Sequence, residues 1–232
     1  MAVATAAGLM RGFAGVGSGM LMAPFFVNIF GPVQTVGIII LMEIIATAQL
    51  LPTVYREIQW RTIGPMGLAA AIAMPFGSWL LVSLETPVVQ FGVSLLVTVS
   101  ALLLLTGWRY EGRKTHLATI GIGSISGLLM AMTSLGNPPV MIYLLSSQDR
   151  AETNRANFTG YFAITLIILI AIMIIGGLIS LQTVGLAAIM LPLFLIATWI
   201  GSRMFRKSNE RMYRWMALGI LLIAGLYGMT LA

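Results

Sequence analysis

The chain contains no cysteine, which excludes disulfides, thiolate metal sites and cysteine nucleophiles. It has a single histidine, His116, next to a basic loop, where a solvated boundary residue is the simplest reading. No segment carries paired carboxylates or the ligand spacing of a metal site, and nothing calls for a cofactor. Charge is also scarce: 9% of the residues are charged, against about 25% in soluble domains. An ordinary soluble domain is excluded on that ground.

What the chain has is apolar length. Hydrophobic residues make up 59% of it and the mean hydropathy is +0.97. Runs long enough to cross a bilayer lie at 34–55, 62–83, 88–108, 155–178, 183–202 and 212–230. Two longer stretches, 1–31 and 116–148, are broken in the middle by Gly and Pro. The fold class is therefore an all-α polytopic membrane protein, one integral domain over 1–232 with no long linker. The first stretch has no charged n-region before its glycines, so it does not read as a signal peptide.

The net charge of +6, from 13 Lys+Arg against 7 Asp+Glu, would suggest a nucleic-acid partner in a soluble protein. Here the basic residues sit in short loops between apolar runs, and the positive-inside rule accounts for them. No nucleic acid is called for. Trp60, Trp79, Trp108, Trp199 and Trp215 fall near span ends, as interfacial belts require. The 16 methionines read as adaptable apolar filler.

The two halves resemble each other. Gly17-Ser18-Gly19-Met20-Leu21-Met22-Ala23-Pro24 lines up with Gly136-Asn137-Pro138-Pro139-Val140-Met141-Ile142-Tyr143, and the stretch 77–104 lines up with 201–228. Each half is then a broken segment followed by three spans, repeat 1 over 1–110 and repeat 2 over 115–232. Transporter folds show this kind of duplication.

Charge placement sets the orientation of the halves. Arg56 and Arg61, then Arg109, Arg113 and Lys114, then Arg150 and Arg155, and finally the group from Arg203 to Arg214 mark the basic connections. The connections 31–33, 84–87 and 179–182 hold no Lys or Arg. Eight single crossings would scatter the basic loops over both faces. If each broken segment instead enters and leaves on one side as a re-entrant hairpin, every basic loop falls on one face. That gives six crossings, two hairpins and halves of inverted topology. Arg11, inside the first hairpin, stands apart.

The hairpin tips would be Gly17-Ser18-Gly19 and Gly136-Asn137-Pro138, reaching mid-membrane from opposite faces. A half-helix starting at each tip presents unpaired N–H groups and a positive dipole end. Proline near such a start costs little, because the N–H it lacks would be orphaned anyway. Two tips meeting at mid-depth form a cradle for an anion. Close glycine packing is the alternative account of the same residues.

The pattern G-x-x-G-x-G-x-G-x-x-x-x-P in 12–24 (GFAGVGSGMLMAP), the stretch 136–145 (GNPPVMIYLL), Arg155-Ala156-Asn157 and the basic element 201–214 occur in this order. Together they resemble the sulfite/anion exporter family (TauE/SafE) over nearly the whole chain. Ser18 departs from it, since the family often shows an unbroken glycine triplet there. The resemblance implies transport of small sulfur-containing anions, such as sulfite, thiosulfate or organosulfonates, across the bacterial inner membrane. The partners are then the anion and membrane lipid, with protons and a homodimer left open.

Further candidates follow from burial cost. Glu43, deep in an apolar run, is either a proton-coupling carboxylate or a structural partner for Arg11. Arg155 at the mouth of its span could bind an oxyanion in bidentate fashion or serve as a positive-inside anchor. Asn157 and Tyr161 share one helical face beyond it, with Thr159 between them, and Thr47 and Gln49 are offered as lining the same cavity. The alternatives to a carrier are a passive anion channel and an intramembrane serine hydrolase. The hydrolase is disfavoured by Val16, where a protease turn needs glycine, and by the interfacial position of His116.

Overall fold

A computed structural model describes residues 1–14, 17–106, 115–134, 137–145 and 151–205. Among them the regular structure is helical, with no strand. The first interrupted segment forms α1 (Ala2–Ala14) and α2 (Ser18–Phe30), and α3 (Pro32–Val54) follows with proline in its first turn. A short 3-10 turn, Tyr55–Glu57, leads to α4 (Trp60–Ser83) and α5 (Thr86–Thr106). The second interrupted segment forms α6 (His116–Thr133) and α7 (Asn137–Leu145), followed by α8 (Ala151–Ile175) and α9 (Leu181–Phe205). The expected span 212–230, Trp108 and Trp215 lie outside the described residues.

Both interruptions are real breaks in the helices. Gly17 caps α2 at φ +97°, a left-handed conformation that an L side chain adopts only with strain. A Cβ there would also collide with the Met10 terminal methyl. The second break begins at Ser134, itself left-handed at φ 62°, whose N–H closes α6 on the Met130 carbonyl.

Five stretches are long and apolar enough to cross a membrane: Pro32–Glu57, Trp60–Ser83, His116–Thr133, Thr153–Ile175 and Leu181–Met204. The third lies within 116–135, the arm that the sequence reading leaves as either half of a re-entrant hairpin or a strongly tilted span. The 18 residues of α6 rise roughly 27 Å, close to the ~30 Å hydrocarbon thickness. Residues such as Leu68, Ile72 and Phe76 on α4, Ile167 and Ile174 on α8, and Ile189 and Ile196 on α9 point outward. A continuous apolar exterior of this kind suits lipid, where a water-soluble monomer would aggregate. The protein is a multi-pass membrane protein.

Two glycine seams hold the bundle together. Along α1 and α9, a Cβ on Gly8 would lie 2.5 Å from the Phe194 carbonyl oxygen and 2.9 Å from the Ala197 Cβ. Gly12 would overlap the Thr198 carbonyl, and Gly201 the Leu9 carbonyl. Along α4 and α6, Gly77 meets the Leu128 carbonyl, Gly123 that of Met66 and Gly127 that of Ala70. Lipid gives helices no hydrophobic drive to associate, so close backbone approach across small residues carries more of the attraction. Around the seams, α3 packs on α8 and α9, and α4 packs on α8.

Candidate functional site

Helix α1 carries Arg11 into the protein, where it is only 2% exposed. Its Nε lies 3.1 Å from Glu43 Oε2 on α3. A terminal guanidinium nitrogen donates to Thr47 Oγ1 at 2.8 Å, one helical turn further along α3. The guanidinium also stands 5.0 Å from the centre of the Phe162 ring on α8, within cation–π range. The other carboxylate oxygen, Glu43 Oε1, accepts a hydrogen bond from the Ser18 hydroxyl. Ser18 is the first residue of α2, set beside the carboxylate by the turn at Gly17. A negative charge at a helix start is favourable, because the unpaired N–H groups and the dipole both face it.

The second break meets this cluster from the other side. A Cβ on Gly19 would lie 3.1 Å from the Ser134 carbonyl oxygen and 3.7 Å from Ile39 Cγ2. The start of α2 and the end of α6 are therefore in contact. The Ser134 hydroxyl is buried there and finds no hydrogen-bond partner among the described residues. Together these groups make a buried polar cluster of one guanidinium, one carboxylate and hydroxyls, set within the apolar core that contains Ile39, Met20 and Phe162.

The expected site residues divide accordingly. Gly17, Ser18, Gly19 and Glu43 come together, with Thr47 among them. Arg155, on the first turns of α8, lies within electrostatic reach of Arg11. Gly136 lies outside the described residues. Asn137 and Pro138 form the first turn of α7, and their side chains lie outside the described ones as well. Gln49 is exposed on α3, so it does not share the cluster with Thr47. The helical step from Glu43 to Gln49 carries it onto another face.

Asn157 and Tyr161 do share a face of α8, but a different structure occupies it. The Asn157 side-chain carbonyl accepts from the Gln59 backbone N–H at 2.8 Å, and its amide donates to Gln59 Oε1 at 3.1 Å. Tyr161 packs in a separate apolar cluster with Ile58, Ile63, Met66 and Tyr143, its hydroxyl turned toward Ser126 on α6 without full hydrogen-bond geometry. In the same region the Thr119 and Tyr143 hydroxyls are bonded at 2.5 Å. Thr159 donates to its own helix at the Arg155 carbonyl. This side of α8 is a clamp onto the 3-10 turn and the start of α4. Replacing Asn157 by alanine is expected to cost about 1–3 kcal/mol in thermal unfolding, through the loss of its two hydrogen bonds to Gln59. Substrate affinity of the surviving folded protein should hold.

What sequence reasoning missed is the centrality of Arg11 and the part of Phe162. A lone arginine in an apolar segment is the available signal. The ring cannot be singled out among ten phenylalanines. Ser18 donates to Glu43, while the only histidine, His116, is exposed at the start of α6. Ser18 and His116 are therefore not paired.

A family model described as Sulfite exporter TauE/SafE matches residues 1–228. No curated protein and no solved structure matches the chain.

Proposed function

Because the chain belongs to the sulfite exporter TauE/SafE family, we propose that it is a secondary transporter carrying small sulfur-containing anions across the bacterial inner membrane. Sulfite, thiosulfate and organosulfonates are the substrate class, and alternating access is the mode of transport. The observation that carries this reading is the contact of the two helix breaks, Gly19 against Ser134, beside the buried guanidinium of Arg11. A helix start, hydroxyls and a guanidinium in a dry setting are the donors a tetrahedral or pyramidal oxyanion needs.

On this reading α1–α2 and α6–α7 are the re-entrant hairpins of two inverted repeats, 1–110 and 115–232. Packing supports the duplication. Gly8 against Phe194 on one seam corresponds to Gly127 against Ala70 on the other, and Gly201 against Leu9 corresponds to Gly77 against Leu128. The packing of α3 on α9 likewise corresponds to that of α8 on α4. Exchanging the halves maps one set of contacts onto the other. The 18 residues of α6 require this arm to tilt strongly for its tip to meet α2 near mid-depth.

Glu43 is the coupling carboxylate in this scheme, as the acidic group held inside the site. The test is uptake of radiolabelled sulfite into proteoliposomes under an imposed pH gradient. Saturable, gradient-dependent uptake is expected, with unlabelled thiosulfate and organosulfonates competing. Flux that never saturates would identify a channel instead. Absence of transport and competition for every sulfur anion would remove the substrate class.

A further inference from the structure

The Arg11–Glu43 pair has an unusual surrounding for a merely structural ion pair. Glu43 holds a guanidinium with one oxygen and the first hydroxyl of a helix with the other. Those are the contacts an incoming oxyanion would take. The guanidinium, in turn, has two further contacts besides Glu43: it donates to Thr47 and stands over the Phe162 ring. We propose that the Glu43 carboxylate is the resident anion of the transport site and Arg11 the cation that binds the transported one. The substrate displaces Glu43 only as Glu43 takes up a proton. This rests on the transport reading above and adds to it the binding residue and the stoichiometry.

The exchange balances simply. The site starts as an ionised carboxylate on a guanidinium. One proton and one oxyanion enter, the proton goes to Glu43, and the oxyanion takes its place on Arg11. Without the proton, two anions would share one buried guanidinium, and like charges at that distance disfavour double ionisation. A buried carboxylate deprived of its counter-charge is costly on its own account. For a monovalent anion the step leaves the charge of the site unchanged, and substrate and proton travel together in whichever direction the anion moves.

The other charged groups around α3 do not replace either partner. Among the described side chains the remaining carboxylates, Glu57 and Glu85, are exposed in connections. Helix α2 carries no charged residue. His116 and Arg61 are exposed near the starts of α6 and α4, and Arg203 is exposed on α9 over the Trp199 ring. Tyr161, which precedes Phe162 on α8, packs in the separate cluster with Ile58 and Tyr143. Arg155, by contrast, stands close enough to act on Arg11. It defines the rival arrangement, in which the anion sits on Arg155, the Arg11–Glu43 pair stays closed and no proton is taken up.

Calorimetric titration of the purified full-length protein with methanesulfonate and with thiosulfate separates the two. Neither anion changes its charge in the neutral range, so buffers of different ionisation enthalpy report protons taken up by the protein. Wild type is expected to take up about one proton per anion bound. Glu43→Gln should bind at least as tightly with no proton uptake. Arg11→Gln/Glu43→Gln, which leaves no buried charge orphaned, should bind roughly tenfold or more weakly than Glu43→Gln alone. Binding to wild type without proton uptake overturns the proposal, as does a double variant that binds like the single one. In either case the transport reading stands. If folded wild type binds neither probe and sulfite fails as well, the transport reading falls and the proposal with it.

Discussion

Arg11→Ala is expected to lower stability by about 3–5 kcal/mol, because it strands the Glu43 carboxylate in the protein interior. The residue is 2% exposed and joins α1 to α3 through two contacts, Glu43 and Thr47. Thermal unfolding in detergent should show a large loss, or the variant should fail to accumulate in the membrane. The informative comparison is Arg11→Met/Glu43→Gln, which removes both charges and keeps most of the volume. Replacing a buried pair by uncharged groups is often neutral or stabilising, so the double variant should recover most of the lost stability. If Arg11→Ala unfolds like wild type, water reaches Glu43 and the cluster is not dry.

The glycine seam should be nearly as sensitive. Gly12→Val places a branched side chain where even a Cβ overlaps the Thr198 carbonyl and lies 2.8 Å from the Ser202 nitrogen. The obstacles are backbone atoms, so no rotamer change relieves them. Overpacking costs about 1–3 kcal/mol in ordinary cores and more where the neighbour cannot yield; the upper end or beyond is expected here. Gly127→Val, against Ala70 on the other seam, should behave alike. At Gly92 and Gly185 a Cβ would meet only open space, so alanine at either should be close to neutral. A seam variant as stable as those controls in thermal unfolding would mean that the helices do not approach this closely.

Much of this architecture is legible in the sequence because the signals are chemically costly. A glycine cluster or a proline pair inside an apolar run must be a break, and the helices stop at Ala14 and Thr133 and restart at Ser18 and Asn137. A carboxylate in the middle of a span needs a partner, and Arg11 is the available one. The alignment of Gly17 with Gly136 and of Gly77 with Gly201 is matched, for the second pair, by equivalent packing.

Legibility fails where a partner decides the role. Asn157 and Tyr161 lie on one helical face, as periodicity requires, but periodicity does not reveal that Gln59 and the Ile58 cluster stand opposite. Proximity in sequence puts Gln49 with Thr47, yet two residues along a helix is about a half-turn away. Arg11 is anomalous by the charge rule because it serves the interior and not a loop. Its role emerges only with Thr47, Phe162 and Ser18 set around it.

The two seams also constrain motion. Each one joins a helix from the first half of the chain to a helix from the second, α1 to α9 and α4 to α6. The halves are clasped like linked hands, and sliding one past the other as intact blocks would pull both grips apart. Any rigid body that survives a transport cycle is therefore a hybrid, assembled from pieces made at opposite ends of the chain. The yielding joint must lie elsewhere, where side chains and not backbones touch. The Arg11–Glu43–Ser18 junction between α1, α2 and α3 is such a joint, and in the mechanism proposed above a single proton decides whether the latch is shut.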